Sequence, residues 1–248
     1  MTADSWPPLP IDDLRVEDVA DVARGHRPVQ VGCEALDRVA KGRAHVAALA
    51  GSDLPAYGVS TGFGALATVS IPRDRRAALQ ASLTRSHAAG VGALVESETV
   101  RAMMLLRLRT LCSGHTGVRP EVVRALAGLL NCGLVPAVPE HGSLGCSGDL
   151  APLAHVALAL RGEGRIRDRT GTGRPAASAL AEAGLAPVEL VEKEGLALVN
   201  GTDGMLGMLC LAIADLTGLL RVADVTAAMS VEALRGTDRA FAADLIAM

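Results

Sequence analysis

Lysine is nearly absent from this 248-residue chain: Lys41 and Lys193 are the only two, and arginine supplies the rest of its 24 basic residues. With the abundant alanine, that reads as coding preference rather than function. The 27 acidic residues bring the net charge to −3, which excludes nucleic acid as the main partner, because phosphate binding needs concentrated positive charge. The five cysteines, Cys33, Cys112, Cys132, Cys146 and Cys210, are odd in number and hold no C-x-x-C pair. Neither a disulfide framework nor a zinc site follows from them. His115, His141 and His155 lack any H-E-x-x-H spacing, so no metal site is expected and these histidines read as structural. There is no P-loop. Gly62-x-Gly64-x-x-Ala67 imitates part of a dinucleotide fingerprint, but no strand precedes it and no βαβ pattern follows, so no nucleotide is expected. Met1 to Pro10 shows no basic start followed by an apolar run, hence no signal peptide. The most apolar stretch, Leu196 to Leu220, contains Asn200, Asp203 and Asp215, groups that fit a buried helix better than a membrane span. A reduced cytoplasm is the expected setting.

Half of the residues are hydrophobic and about a fifth charged, the balance of a globular protein with a real core. Most of the pattern is helical. Ala35 to Ala50 has leucine and valine at helical spacing and stops at Gly51. Gly58, Gly62 and Gly64 mark a loop. Pro72 opens a helix to about His87, closed by Gly90 and Gly92. Val100, Met103, Met104, Leu108 and Leu111 fall on one face of an amphipathic helix from Glu98 to Leu111. A further helix is predicted over Pro120 to Asn131. Leu134 to Gly148 reads as loop, Asp149 as the N-cap of a helix to Arg161, and Arg165 to Pro175 as a small polar hairpin. After Asn200 and Gly201 a long apolar helix continues past Ser230. The expected architecture is mainly α, with long packed helices.

The segment Gly142-Ser143-Leu144-Gly145-Cys146-Ser147-Gly148-Asp149-Leu150 carries the chemistry. Glycine has no Cβ, so the Gly148 nitrogen can approach the Cys146 carbonyl carbon closely. An N–C bond there closes a five-membered ring. Loss of that carbonyl oxygen as water, and of the Ser147 hydroxyl as a second water, leaves an exocyclic methylene conjugated to the ring. The product is an electrophile made from backbone alone. A helix beginning at Asp149 sets the positive end of its dipole beside it. Spacing alone favours a plainer reading, a glycine-rich turn leading into a capped helix.

The run Gly142 to His155, GSLGCSGDLAPLAH, resembles the cofactor motif of the aromatic amino acid ammonia-lyases. Tyr57 to Ala67 (YGVSTGFGALA), Arg85 to Gly92 (RSHAAGVG), Val100 to Leu106, Gly114 to Arg119 (GHTGVR) and Lys193 to Thr202 (KEGLALVNGT) extend the resemblance over nearly the whole chain. It implies that Cys146, Ser147 and Gly148 form 4-methylideneimidazole-5-one autocatalytically. Cysteine replaces the usual alanine, and only the backbone of that residue enters the ring. It also implies an ammonia-lyase-like N-terminal domain over residues 1–203 and the start of a long central helical bundle over 204–248.

Tyr57, the sole tyrosine, reads on its own as a loop aromatic packed on the core; the resemblance makes it the base that removes a β-proton, on a mobile glycine-flanked loop that admits substrate. His87 alone reads as a helix-end histidine favoured by the dipole. Ser86-His87, however, stands where relatives sort their substrates, and a histidine there resembles the histidine lyases, with L-histidine as substrate and urocanate as product. Asn200 alone is a turn or cap; by resemblance it contacts ring and substrate. Ser60 and Asp203 depart from the commoner asparagine and glutamine. The family is longer, and its carboxylate-binding arginine lies in a C-terminal half, partly across subunits of a tetramer. The expected partners are therefore further copies of the chain, or a C-terminal-half chain. The alternatives are a non-catalytic or half-enzyme assembly partner, or a phenylalanine or tyrosine lyase or aminomutase.

Overall fold

The computed structural model describes residues 6–145, 147–167, 171 and 173–247, apart from the side chain of Ile246. It divides into two units, Met1–Leu211 and Ala212–Met248. The first holds helices α1 (Val16–Gly25), α2 (Cys33–Gly51), α3 (Arg76–His87), α4 (Ser97–Cys112), α5 (Pro120–Asn131), α6 (Leu150–Leu160), α7 (Ala176–Glu182) and α8 (Glu194–Val199), and the first turns of α9 (Asp203–Ala233). Its strands are short. β1 (Leu9–Pro10) pairs in parallel with β2 (Val29–Gln30), and β3 (Val91–Leu94) runs antiparallel to β5 (Pro139–His141). β4 (Val135–Pro136), β6 (Arg165–Arg167) and β7 (Gly173–Pro175) form an antiparallel sheet in that order. The chain is thus mainly α, with the expected hairpin present as β6–β7.

Helix α4 is the centre of the first unit, packed against α1, α2 and α5. The one-sided burial expected of it is not what is found: every residue from Val100 to Leu108 is buried, Arg101 and Arg107 included. The reason is that other helices end against it. The Arg101 guanidinium donates to the carbonyls of Val22 and Ala23 at the end of α1 and of Leu130 at the end of α5. Those are carbonyls left without an intrahelical partner. Arg101 and Arg107 are ligands of helix ends rather than a solvent face, while Arg109 is exposed. Arg76 does the same at the end of α2, donating to the Ala50 carbonyl.

In the second unit α9 continues to Ala233 and ends at Arg235 in the left-handed region, with the Gly236 N–H returned to the Val231 carbonyl. A 3-10 turn (Asp238–Phe241) and α10 (Ala243–Ile246) follow. By length and composition the run Glu194–Ala233 is apolar enough to cross a membrane. It is two helices, α8 and α9, parted at Asn200 to Thr202, and α9 carries Asp215, Arg221 and Asp224.

Candidate functional site

The glycine-rich loop before α6 is tied down by one carboxylate. Asp149 occupies the N-cap position of α6, yet its side chain makes no cap bond to that helix. Its Oδ2 instead accepts the N–H groups of Gly204 (2.9 Å) and Met205 (3.0 Å), so it caps α9. Its Oδ1 accepts from the Ser143 hydroxyl at 2.8 Å, and that hydroxyl in turn accepts the Gly145 N–H. A buried carboxylate at a helix N-terminus meets both free amides and the positive dipole end. Asp149 thus stands at the expected N-cap position of α6 while its side chain caps α9, because the end of α8 delivers the start of α9 to the same point. The Asp149 N–H donates to the Gly201 carbonyl at 2.6 Å.

Gly148 has φ +135°, and a Cβ built on it would overlap the Gly201 carbonyl. Only glycine fits both the dihedral and the contact. Ser147 beside it is exposed. Cys146, the first residue of the expected ring, lies outside the described residues.

His87 is half-buried at the last turn of α3. With Ser86 it lines a cavity of about 290 Å³ together with Gly142, Leu144, Gly148 and Ala151. The histidine of one motif and the glycine of another, distant in sequence, thus face one space. The His87 Nδ1 stands 3.0 Å from the Leu83 carbonyl and 3.0 Å from the Ser86 hydroxyl. A carbonyl oxygen can only accept, so this contact assigns a proton to Nδ1, the tautomer in which Nε2 is the acceptor.

Tyr57 does not line that cavity. It is 55% exposed, its hydroxyl accepts the Gly64 N–H at 3.3 Å, and its ring meets Phe63 edge-on at 6.2 Å. It borders a different recess with His45, Gly114, His115 and Lys193. The Lys193 ammonium donates to the Thr116 carbonyl, and burial pulls its pKa down. Ser60 is buried in the Tyr57 loop, its hydroxyl accepting the Ala56 N–H at 2.9 Å. Asn200 is exposed at the end of α8, with its backbone carbonyl held by Arg107.

Two ion pairs with buried carboxylates were not read from the sequence. Glu194, fully buried, accepts from the Arg119 guanidinium and from the N–H groups of Arg119 and Val191. That carboxylate raises the Arg119 pKa through its hydrogen bond. Arg107 pairs with Asp203. The usable signal was an arginine inside the otherwise apolar run Met103 to Leu108, since a charge in such a run needs a buried partner.

The pattern of the aromatic amino acid lyases matches residues 14–248. The chain is 59% identical over 235 residues to a histidine ammonia-lyase of Streptomyces avermitilis, covering 95% of this chain and 46% of the relative. It is 58% identical to one of Streptomyces griseus, covering 94% and 45%. A crystal structure of the tyrosine aminomutase of Streptomyces globisporus superposes with a TM-score of 0.90 at 41% identity, over 96% of this chain and 45% of that one. The chain spans about half the length of the curated relatives it matches.

Proposed function

The chain belongs to the aromatic amino acid lyase family, and from that premise we propose that it is the ring-bearing half of a histidine ammonia-lyase, which turns L-histidine into urocanate and ammonia. The observation that carries this reading is the shared cavity of His87 and Gly148, beside an exposed Ser147. Residues 1–203 are the ring-forming domain in this reading, and 204–248 open a helical bundle completed by further copies or by a C-terminal-half chain, in the cytoplasm.

The residues fit 4-methylideneimidazole-5-one. Gly148 stands in a conformation open to glycine alone, with its carbonyl neighbour Gly201 packed where a side chain would go. Ser147 is exposed and free of side-chain hydrogen bonds among the described residues. Once formed from Cys146, Ser147 and Gly148, the ring supplies an electrophilic carbon that no ordinary side chain offers. The rest falls to side chains. His87 Nε2 accepts the N–H of the substrate imidazole, which a leucine at that position cannot do. Tyr57 takes the β-proton on its oxygen; the C–H pair becomes the Cα–Cβ double bond, and ammonia departs with the Cα–N pair. Asn200, next to Gly201, contacts ring and substrate in this reading.

A second reading, a tyrosine-directed lyase or aminomutase, has the likeness to the tyrosine aminomutase in its favour. Both readings are tested together. Mass spectrometry of the peptide containing Cys146 to Gly148 should show the loss of two waters, and Ser147→Ala should abolish it. An assay of the assembled enzyme should give urocanate from histidine. An unmodified peptide in the assembled enzyme ends the lyase reading, and a preference for tyrosine ends the histidine one.

A further inference from the structure

Arg107 and Asp203 pair in the interior of the first unit, with side chains only 3% and 7% exposed. Apolar residues often replace such a pair without loss of stability, so stability alone does not account for it. What surrounds the pair is more informative. Arg107 Nη1 donates to the carbonyls of Ala197 (3.1 Å) and Asn200 (3.2 Å), the last turn of α8. Its Nη2 meets Asp203 Oδ2, and Thr110 Oγ1 stands 3.5 Å from Asp203 Oδ1. A Cβ on Gly201 would overlap Arg107 Nη2, so this turn lies flat against the guanidinium. On its other side the Gly201 carbonyl accepts the Asp149 N–H and fills the space beside the Gly148 Cα. The guanidinium, the Asn200–Gly201 turn and the Gly148–Asp149 peptide are therefore stacked in direct contact.

We propose that Arg107, oriented by Asp203, is a positioning residue that presses the Gly201 carbonyl onto Gly148 and so holds the backbone in the geometry from which Gly148 cyclises onto Cys146; this rests on the ring-forming reading above. The planar fork is suited to it: two carbonyls and a carboxylate are held at fixed angles, which a lysine ammonium does not reproduce. Asp203 thereby acquires a task. It keeps the guanidinium from turning away from the α8 carbonyls.

The test uses two variants of the 248-residue chain, Arg107→Met combined with Asp203→Leu, and Arg107→Lys alone. The first removes both charges together, so no buried charge is left unpaired; the second keeps the charge and loses the fork. Each is compared with wild type by melting temperature, by the fraction of Cys146–Gly148 peptide lighter by two waters, and by amide hydrogen exchange at Asp149. Where wild type carries the ring, a variant that melts like wild type should carry it in a fraction lower by about tenfold or more, as small misplacements of reacting atoms cost. Full ring formation in either such variant overturns the proposal. Where the chain by itself carries no ring, exchange decides the clamp: Asp149 exchanging about tenfold faster supports it, and unchanged exchange overturns it, while the ring-forming reading is decided separately on the assembled enzyme. If the double variant does not fold, the lysine variant decides by the same readings.

Discussion

At Gly148 the backbone stands at φ +135° with the Gly201 carbonyl where a side chain would begin. Alanine there keeps the peptide nitrogen needed for ring closure but loses both the dihedral and the contact. Gly148→Ala should therefore lower stability by about 1–3 kcal/mol, the scale of a strained backbone position, and leave the 146–148 peptide at its unmodified mass. A two-water loss in folded Gly148→Ala protein would show that the close approach is dispensable. Tyr57 and His87 border different recesses, and their roles separate by assay. Tyr57→Phe in the assembled enzyme should cut turnover at least about 10²-fold, a typical general-base contribution; near-normal turnover moves the base elsewhere. His87→Leu replaces the free Nε2 acceptor with apolar surface. Histidine turnover should fall relative to tyrosine and phenylalanine, read from substrate competition. An unchanged ratio would remove His87 from substrate choice.

Helix α6 runs from the glycine-rich loop into the core and carries a histidine with an acid-side consequence. His155 Nε2 is buried with no hydrogen-bond partner among the described residues, close against Gly90, and burial lowers its pKa below 6.5. The unfolded chain then binds the proton more readily than the folded one. Stability rises with pH wherever that holds, so it is fully present above 6.5 and declines as pH falls from there toward the folded pKa. Denaturant melts from pH 7 to pH 5 should show this loss, and His155→Gln should flatten it; an identical slope in the variant would acquit His155. At this scale the sequence was most legible where the signal is local. The ends of α2 at Gly51 and α5 at Asn131, the β6–β7 hairpin and the length of α9 all follow from glycine, proline and apolar spacing. It was least legible where partners are remote. Arg107 and Asp203 are 96 residues apart, so no window of the chain contains both halves of the pair. For the same reason α4 reads as amphipathic in sequence, although Arg101 caps α1 and Arg107 holds the end of α8. Through its resemblance to the lyase motif the expected ring triplet could be picked out, because its residues are consecutive. Its support could not, since Asp149 and Gly201 meet only after α8 and α6 have packed.

Helix α9 sets the behaviour of the whole molecule. Met208, Leu209, Leu216, Leu220, Val225 and Met229 are between 52% and 65% exposed. At 100° per residue these positions spread around the helix instead of forming one stripe, so a single neighbouring helix cannot cover them. A bundle of several helices can. The 248-residue chain purified by itself should therefore not be a monomer: light scattering should give a multiple of 25.4 kDa, and a dye that binds exposed apolar surface should bind the chain at low concentration and less at high. Replacing Leu216 and Leu220 by glutamine should shift the mass toward 25.4 kDa without altering the melting of the first unit, because both residues lie in Ala212–Met248. A monodisperse monomer of the unaltered chain, with no dye binding, would mean that this surface tolerates water as it stands. The lyase reading adds one demand. The fraction that turns histidine into urocanate should rise when a C-terminal half of a histidine ammonia-lyase is added, and rise less for the glutamine variant, whose bundle face is spoiled while its ring loop is untouched. Equal rescue of both would separate the apolar face of α9 from the assembly that completes the site.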